Sequence, residues 1–217
     1  MINTLNDYYQ NSVPEVLETS AGLREKVNSE GSLLPFPGNT VVFLLDGDTK
    51  DAIRSIQDFL QEHCGSLLAQ RLDPDTFHMT LHDLANGPVL HQRGEMAAQA
   101  KTILDMIRAT PAAPIPMTAT WSFNMVNTSI VLGLEPATKD AWNRLDDLYM
   151  QFQQVRNLPY ALTPHITLAY FRPGCYGPEQ TARLRAALGP IDLTMELQLS
   201  ELVLQEFADM NHYTTIY

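Results

Sequence analysis

Apolar residues along this chain switch between two periods, and the switches mark out short strands and helices. Val41-Val42-Phe43-Leu44-Leu45 is an unbroken apolar run of buried-strand length. Ile53, Ile56, Leu60, Cys64 and Leu67 then recur at intervals of three or four, the stripe of an amphipathic helix. Pro74 precedes an alternating stretch from Thr76 to about Leu84, and a second helical stripe carries Met96, Ala100, Ile103, Leu104 and Ile107. Pro111-Ala112-Ala113-Pro114 breaks the chain into halves. Strands are predicted over Ile115–Phe123 and Thr128–Leu134, and the clearest apolar stripe runs from Trp142 to Val155 as a core-facing helix. A strand over Thr163–Tyr170 follows, then a short helix over Glu179–Leu188. Leu193, Met195, Leu197 and Leu199 alternate with polar residues, and the phase shift at Ser200-Glu201 predicts a bulge before Leu202 and Leu204. Tyr213–Tyr217 is expected to add an edge strand.

The first 38 residues read differently. Ser12-Val13-Pro14-Glu15 has the spacing of a capping box with proline in the first turn, which predicts a helix to about Val27. An ordered loop over Gly31–Gly38 closes this arm. Three roles are open to it: packing on the core, covering a site, or mediating a dimer. Oligomeric state is not readable.

Within residues 39–217 the pattern repeats. Asn39-Thr40 opens an apolar strand, a helix follows, and His78-Met79-Thr80-Leu81 lies 39 residues after Asn39. Asn127-Thr128 opens a second such strand, a helix follows, and His165-Ile166-Thr167-Leu168 lies 38 residues after Asn127. One such tetrapeptide is common by chance; two in matched strand-helix-strand units mark a duplication. In a strand, residues i and i+2 share a face, so His78 projects with Thr80 and His165 with Thr167 while the intervening residues face the core. Two halves packed symmetrically bring two imidazoles and two hydroxyls around one cleft.

That set suits displacement at phosphorus. The attacking oxygen needs a base and the leaving oxygen an acid, and histidine, with an ordinary pKa near 6.5, supplies either form near neutrality. Hydroxyls donate to the non-bridging oxygens, where charge accumulates. The set requires neither metal nor cofactor. His82 lies on the predicted strand face of His78 and Thr80, about 13 Å from His78, too far to share a metal ion, and reads either as a substrate contact at the rim or as a solvated histidine. Tyr213 on the last strand is a further candidate contact, whereas Trp121 and Phe123 read as core. His63, His91 and His212 read as surface residues, and Asp146-Asp147 as a solvated helix face. The chain contains no phosphate-binding P-loop, dinucleotide fingerprint or nucleophile elbow.

The paired His78-Met79-Thr80-Leu81 and His165-Ile166-Thr167-Leu168 resemble the two H-x-T-x motifs of the 2H phosphoesterase superfamily, which includes RNA ligase-like 2′,3′-cyclic phosphodiesterases. The segments from Phe36 to Val42 and from Phe77 to Thr80 further resemble a less characterised bacterial branch. The resemblance covers about residues 39–217. It implies an α+β fold of two pseudo-symmetric lobes, roughly 39–110 and 111–217 with possible strand exchange, each an antiparallel sheet with outer helices, and the site between them. It also implies catalytic roles for His78 and His165 and phosphate contacts for Thr80 and Thr167. Many members carry a basic residue soon after the second motif; this chain has Ala169-Tyr170-Phe171-Arg172, so Tyr170 and Arg172 are the candidate contacts there. Phosphodiesterase and ligase activities share the motifs, and the motifs do not rank them. A nucleotide-binding or regulatory module with little turnover is the alternative reading.

Charge and composition narrow the partner. With 14 basic and 25 acidic residues the formal charge is −11, a surface that repels long polyanions while leaving room for a small nucleotide or an RNA end. At 217 residues the chain is long enough to bury roughly 70% of its unfolded surface without staples. Cys64 and Cys175 form no C-x-x-C pair, and Met1–Asp7 shows neither a basic nor an apolar leader region. No apolar run approaches the ~20 residues that span a bilayer. The expectation is a cytoplasmic protein with no membrane partner.

Overall fold

The computed structural model describes residues 12–217, so the leader reading of Met1–Asp7 lies outside the described residues. Ten strands and four α-helices follow in chain order among the described residues. They are β1 (Leu17–Glu18), β2 (Gly38–Leu44), α1 (Gly47–Cys64), β3 (His78–Asn86), α2 (Arg93–Arg108), β4 (Ile115–Met125), β5 (Ser129–Pro136), α3 (Lys139–Phe152), β6 (His165–Tyr170), β7 (Cys175–Tyr176), α4 (Pro178–Ala187), β8 (Pro190–Leu197), β9 (Leu202–Asp209) and β10 (His212–Thr215). None of the helices is long and apolar enough to cross a membrane.

The long strands form two antiparallel four-stranded sheets, ordered β3-β2-β9-β10 and β6-β5-β4-β8. Written this way the sheets correspond position by position, and the motif strands β3 and β6 are both edges. The two edges approach one another, which sets the motif residues around a common cleft. The α+β architecture expected from the sequence is the observed one.

Local chemistry accounts for the helices. Asp46 caps α1 by accepting from the backbone N–H of Thr49 at 2.7 Å, and Thr138 caps α3 by accepting from that of Ala141 at 3.1 Å. The buried face of α1 carries Ile53, Gln57, Leu60 and Cys64, and that of α3 carries Leu145, Leu148, Tyr149 and Phe152. Trp142 departs from its predicted core position and lies 41% exposed on the outer side of α3. Each connecting helix crosses to the other half. Thus α1 packs on α4 and β6, and α3 packs on α2 and β3 as well as on β4 and β5.

Two further expectations are corrected. Residues 12–27 form no α-helix: after a short extended stretch, β1 pairs with β7 and only Ala21–Glu25 turns, as 3-10 helix. The local capping pattern loses to tertiary hydrogen bonds, Thr19 N–H to Gly174 O and Ser20 N–H to Asn127 O, each 3.0 Å. Leu17, Leu23 and Val27 are wholly buried, so this segment is built into the core. The second correction concerns Ser200-Glu201, where a 3-10 turn replaces the expected bulge. The chain leaves one sheet after β8 and enters the other at β9, and the apolar phase changes because the core it faces changes.

Candidate active site

The motif histidines are held by the same local device. His78 Nδ1 lies 2.7 Å from Thr76 O, and His165 Nδ1 lies 2.7 Å from Thr163 O. A carbonyl only accepts, so in both rings Nδ1 carries the hydrogen and donates, and Nε2 is left for chemistry. The repeated pattern is therefore longer than H-x-T: Thr76-Phe77-His78-Met79-Thr80 matches Thr163-Pro164-His165-Ile166-Thr167. The leading threonines act through their backbone carbonyls.

A second symmetric feature follows each motif. Register shifts between Val41 and Val42 opposite β3, and between Ile130 and Val131 opposite β6, leave Leu81 and Leu168 as the extra residues of two bulges. Each bulge reverses the alternation, so the residue five positions after the histidine returns to the cleft. In the first half that residue is Asp83 and in the second Tyr170. The same bulge displaces His82, which does not share the face of His78 and Thr80. It is buried at 1% exposure, with its ring 5.1 Å from that of Tyr149 and 6.2 Å from that of Phe152, and reaches only the wall of the outer cavity.

His78, Thr80, His165, Thr167, Tyr170 and Tyr213 line one cavity of about 160 Å³, together with Asp83 and Lys26. An adjoining cavity of about 480 Å³ shares Lys26, Thr80, Asp83, His165, Thr167 and Tyr170, and continues past Met125, Val126, Leu158 and Tyr160. Tyr213 sets its ring edge against His78, with centroids 4.9 Å apart. The Tyr170 hydroxyl reaches the Met210 sulfur at 3.1 Å. Arg172 is not part of the site. Its side chain is exposed and its guanidinium lies beside Gly31, while its backbone joins Leu67 and Tyr176. Trp121 and Phe123 line neither cavity, and His63, His91 and His212 are exposed.

The electrostatics favour two neutral imidazoles. Burial pushes His78 down to about 4, opposed by the Thr76 carbonyl and reinforced by the nearby His165. Burial also lowers His165, with the Thr163 carbonyl and Asp83 opposing it. Tyr213 is raised well above the ordinary phenol value, chiefly by burial, so its hydroxyl stays protonated. Tyr160, which donates to Asp83 Oδ2 at 3.5 Å, is pushed up to about 12 by burial and by that carboxylate. Among the described residues no three His, Cys, Asp or Glu side chains converge as metal ligands.

Asp83 and Lys26 were not among the residues singled out by sequence. The bulge that aims Asp83 leaves no trace in the alternation, and Lys26 arrives from a distant segment. The leading threonines were readable as the repeated T-x-H-x-T.

Residues 26–115 match a family model described as 2H-phosphodiest, a domain of unknown function (DUF1868); the second motif lies beyond the matched span. No curated protein matches the chain by sequence. Among solved structures, the conserved protein of unknown function ATU0111 from Agrobacterium tumefaciens has a TM-score of 0.65 at 22% identity, covering 92% of each chain. TT0787 of Thermus thermophilus has a TM-score of 0.58 at 15% identity, over 83% of this chain and 95% of that one. E. coli LigT, solved with phosphate, has a TM-score of 0.56 at 14% identity, over 85% of this chain and 96% of that one. Residues 26–115 thus carry the 2H-phosphodiest family signature, and over most of its length the chain shares its fold with TT0787 and LigT.

Proposed function

We propose that the cleft hydrolyses a small cyclic phosphoester of the 2′,3′-cyclic nucleotide type by paired histidine acid–base catalysis, without a metal ion. The observation that carries this reading is the matched pair of imidazoles. Both are fixed through Nδ1 to a carbonyl 2.7 Å away, and both line one cavity with Thr80 and Thr167. One Nε2 takes the proton of the attacking water as its oxygen bonds to phosphorus. The other Nε2, protonated, gives its proton to the departing ester oxygen as that P–O bond breaks. Thr80 and Thr167 donate to the non-bridging oxygens, where negative charge grows. Which histidine acts as base follows from which ester oxygen faces it.

Cavity shape supports the substrate class. The inner cavity of about 160 Å³ holds the polar motif residues, and the wider one of about 480 Å³ has a mainly apolar outer wall that receives the organic remainder. LigT has been solved with phosphate, ATP, 3′-AMP and NADP+, which favours a nucleotide in a fold of this type.

The test is a panel of 2′,3′-cyclic mononucleotides, ADP-ribose cyclic phosphate and short RNA ends carrying a cyclic phosphate, assayed with EDTA present. The wild type is expected to open at least one of them, and His78→Ala and His165→Ala each to lose ~10²–10⁴-fold in rate. Full activity in either variant, or dependence on a metal ion, would overturn the reading. Tight binding of a nucleotide without turnover would establish the binding-module alternative in its place.

A further inference from the structure

We propose that Lys26, carried into the cleft by the amino-terminal arm, is the cation that holds the substrate's phosphate. The inference rests on the phosphoester reading above and adds to it a residue outside both motifs.

Among the described residues Lys26 is the sole lysine or arginine lining either cavity, and it lies on the wall the two cavities share, with Thr80, His165 and Thr167. Among the described residues it forms no ion pair, although Asp83 lines the same cavities. Its amine is nevertheless positioned. Nζ lies 4.8 Å from the centroid of the Phe36 ring and 5.6 Å from that of Tyr170, both within cation–π reach.

The backbone that delivers it is pinned. Lys26 N–H donates to Leu23 O at 2.9 Å, and Leu34 N–H donates to Lys26 O at 2.8 Å. A bridge joins Val27 to Leu33, and the loop end is tied down where Phe36 N–H donates to Ala208 O at 2.8 Å. Leu23 and Val27, on either side of Lys26, are wholly buried. An arm fixed this firmly places an amine as reliably as a strand would.

Charge balance gives the amine its task. Burial favours the neutral form of both histidines, and among the described residues Asp83 is the one carboxylate lining either cavity. The whole chain carries a formal charge of −11, so the distant field also repels an anion. A phosphoester enters against both unless a local cation offsets them, and Lys26 is the cation that lines both cavities among the described residues. Its ammonium is a compact point charge with three donors, suited to non-bridging oxygens as they gain charge.

The experiment measures inorganic phosphate binding by titration calorimetry at several salt concentrations, with KM and kcat for 2′,3′-cyclic AMP alongside. Lys26→Met is expected to weaken phosphate binding ~10–100-fold, the usual worth of a charge-assisted hydrogen bond. It should also flatten the salt dependence and raise KM more than it lowers kcat. Lys26→Arg, which keeps the charge, is expected to restore most of the affinity. A purely structural role would leave the salt dependence unchanged, so phosphate binding by Lys26→Met within twofold of wild type, or an unchanged salt slope, overturns the proposal. If the wild type itself binds no phosphate, the phosphoester reading falls and this inference falls with it. If the wild type binds and Lys26→Met binds equally, only the role of Lys26 is lost.

Discussion

A histidine whose Nδ1 is committed to a backbone carbonyl has a fixed tautomer and one nitrogen left to exchange protons. His78 and His165 are both in this state, and burial biases both toward neutrality, His78 to about 4. An empty cleft at pH 7 therefore favours two bases over an imidazolium acid. A dianion placed between the rings stabilises the charged form and raises their pKa values, so binding should draw in a proton. The sign is definite: folded values below 6.5 mean uptake on binding above that pH, not release. Sulfate, which does not titrate near neutrality, is the clean probe. Calorimetry in buffers of different ionisation enthalpy should show net proton uptake on sulfate binding at pH 7, absent from a His78→Ala/His165→Ala double variant. Binding with no proton exchange in the wild type would refute this electrostatic picture.

At the same scale, what the sequence conveyed depended on distance along the chain. His78 with Thr80 and His165 with Thr167 follow from strand alternation, and the structure brings all four to one cavity. His82 was assigned to the same face by extending that alternation two residues too far, across the bulge at Leu81. Tyr213 was placed in the cleft from its late strand, and it lies there. Arg172 was put forward on proximity in sequence, yet its side chain turns out to the surface.

Among the elements, the two bulges do most to shape the site, and the one in β6 is held from the other half. The carbonyl of Leu168, the bulge residue of β6, accepts from Gln57 Nε2 of α1 at 3.0 Å. The same amide nitrogen donates to Leu72 O at 3.0 Å, and Gln57 Oε1 accepts from Arg71 Nε at 2.6 Å. Gln57 is 2% exposed, so Gln57→Leu leaves polar groups without partners around the bulge. The expected cost is ~1–3 kcal/mol, read as a lower urea midpoint with unchanged slope. An unchanged midpoint would show that the amide does not hold this bulge. Periodicity revealed the helix carrying Gln57 but not its target, because the i, i+3, i+4 pattern reports a buried face and not what covers it. The arm failed as a helix for a related reason: Ser12-Val13-Pro14-Glu15 satisfies a local rule, while pairing of β1 with β7 decides the conformation.

At the scale of the whole molecule, the duplication visible as two strand-helix-strand units becomes two corresponding sheets whose edge strands face each other. Three connections interlock the halves: α1 reaches β6, α3 reaches β3, and the chain end returns as β9 and β10 to complete the first sheet. The return was hidden in a phase shift at Ser200-Glu201 that has the same sequence appearance as a bulge. Interlocking keeps two catalytic candidates from different halves in fixed relation, which a base and an acid acting on one phosphorus require.

The central claim is that these two histidines work as such a pair, and the pH dependence of kcat/KM on an opened 2′,3′-cyclic nucleotide tests it most directly. One ring must be neutral and the other protonated, so the wild-type profile should be bell-shaped. Because burial lowers both rings in the free protein, its centre should lie below about pH 6.5. His78→Ala and His165→Ala should each lose one limb along with ~10²–10⁴-fold in rate. A profile that keeps both limbs in either variant would contradict the pairing.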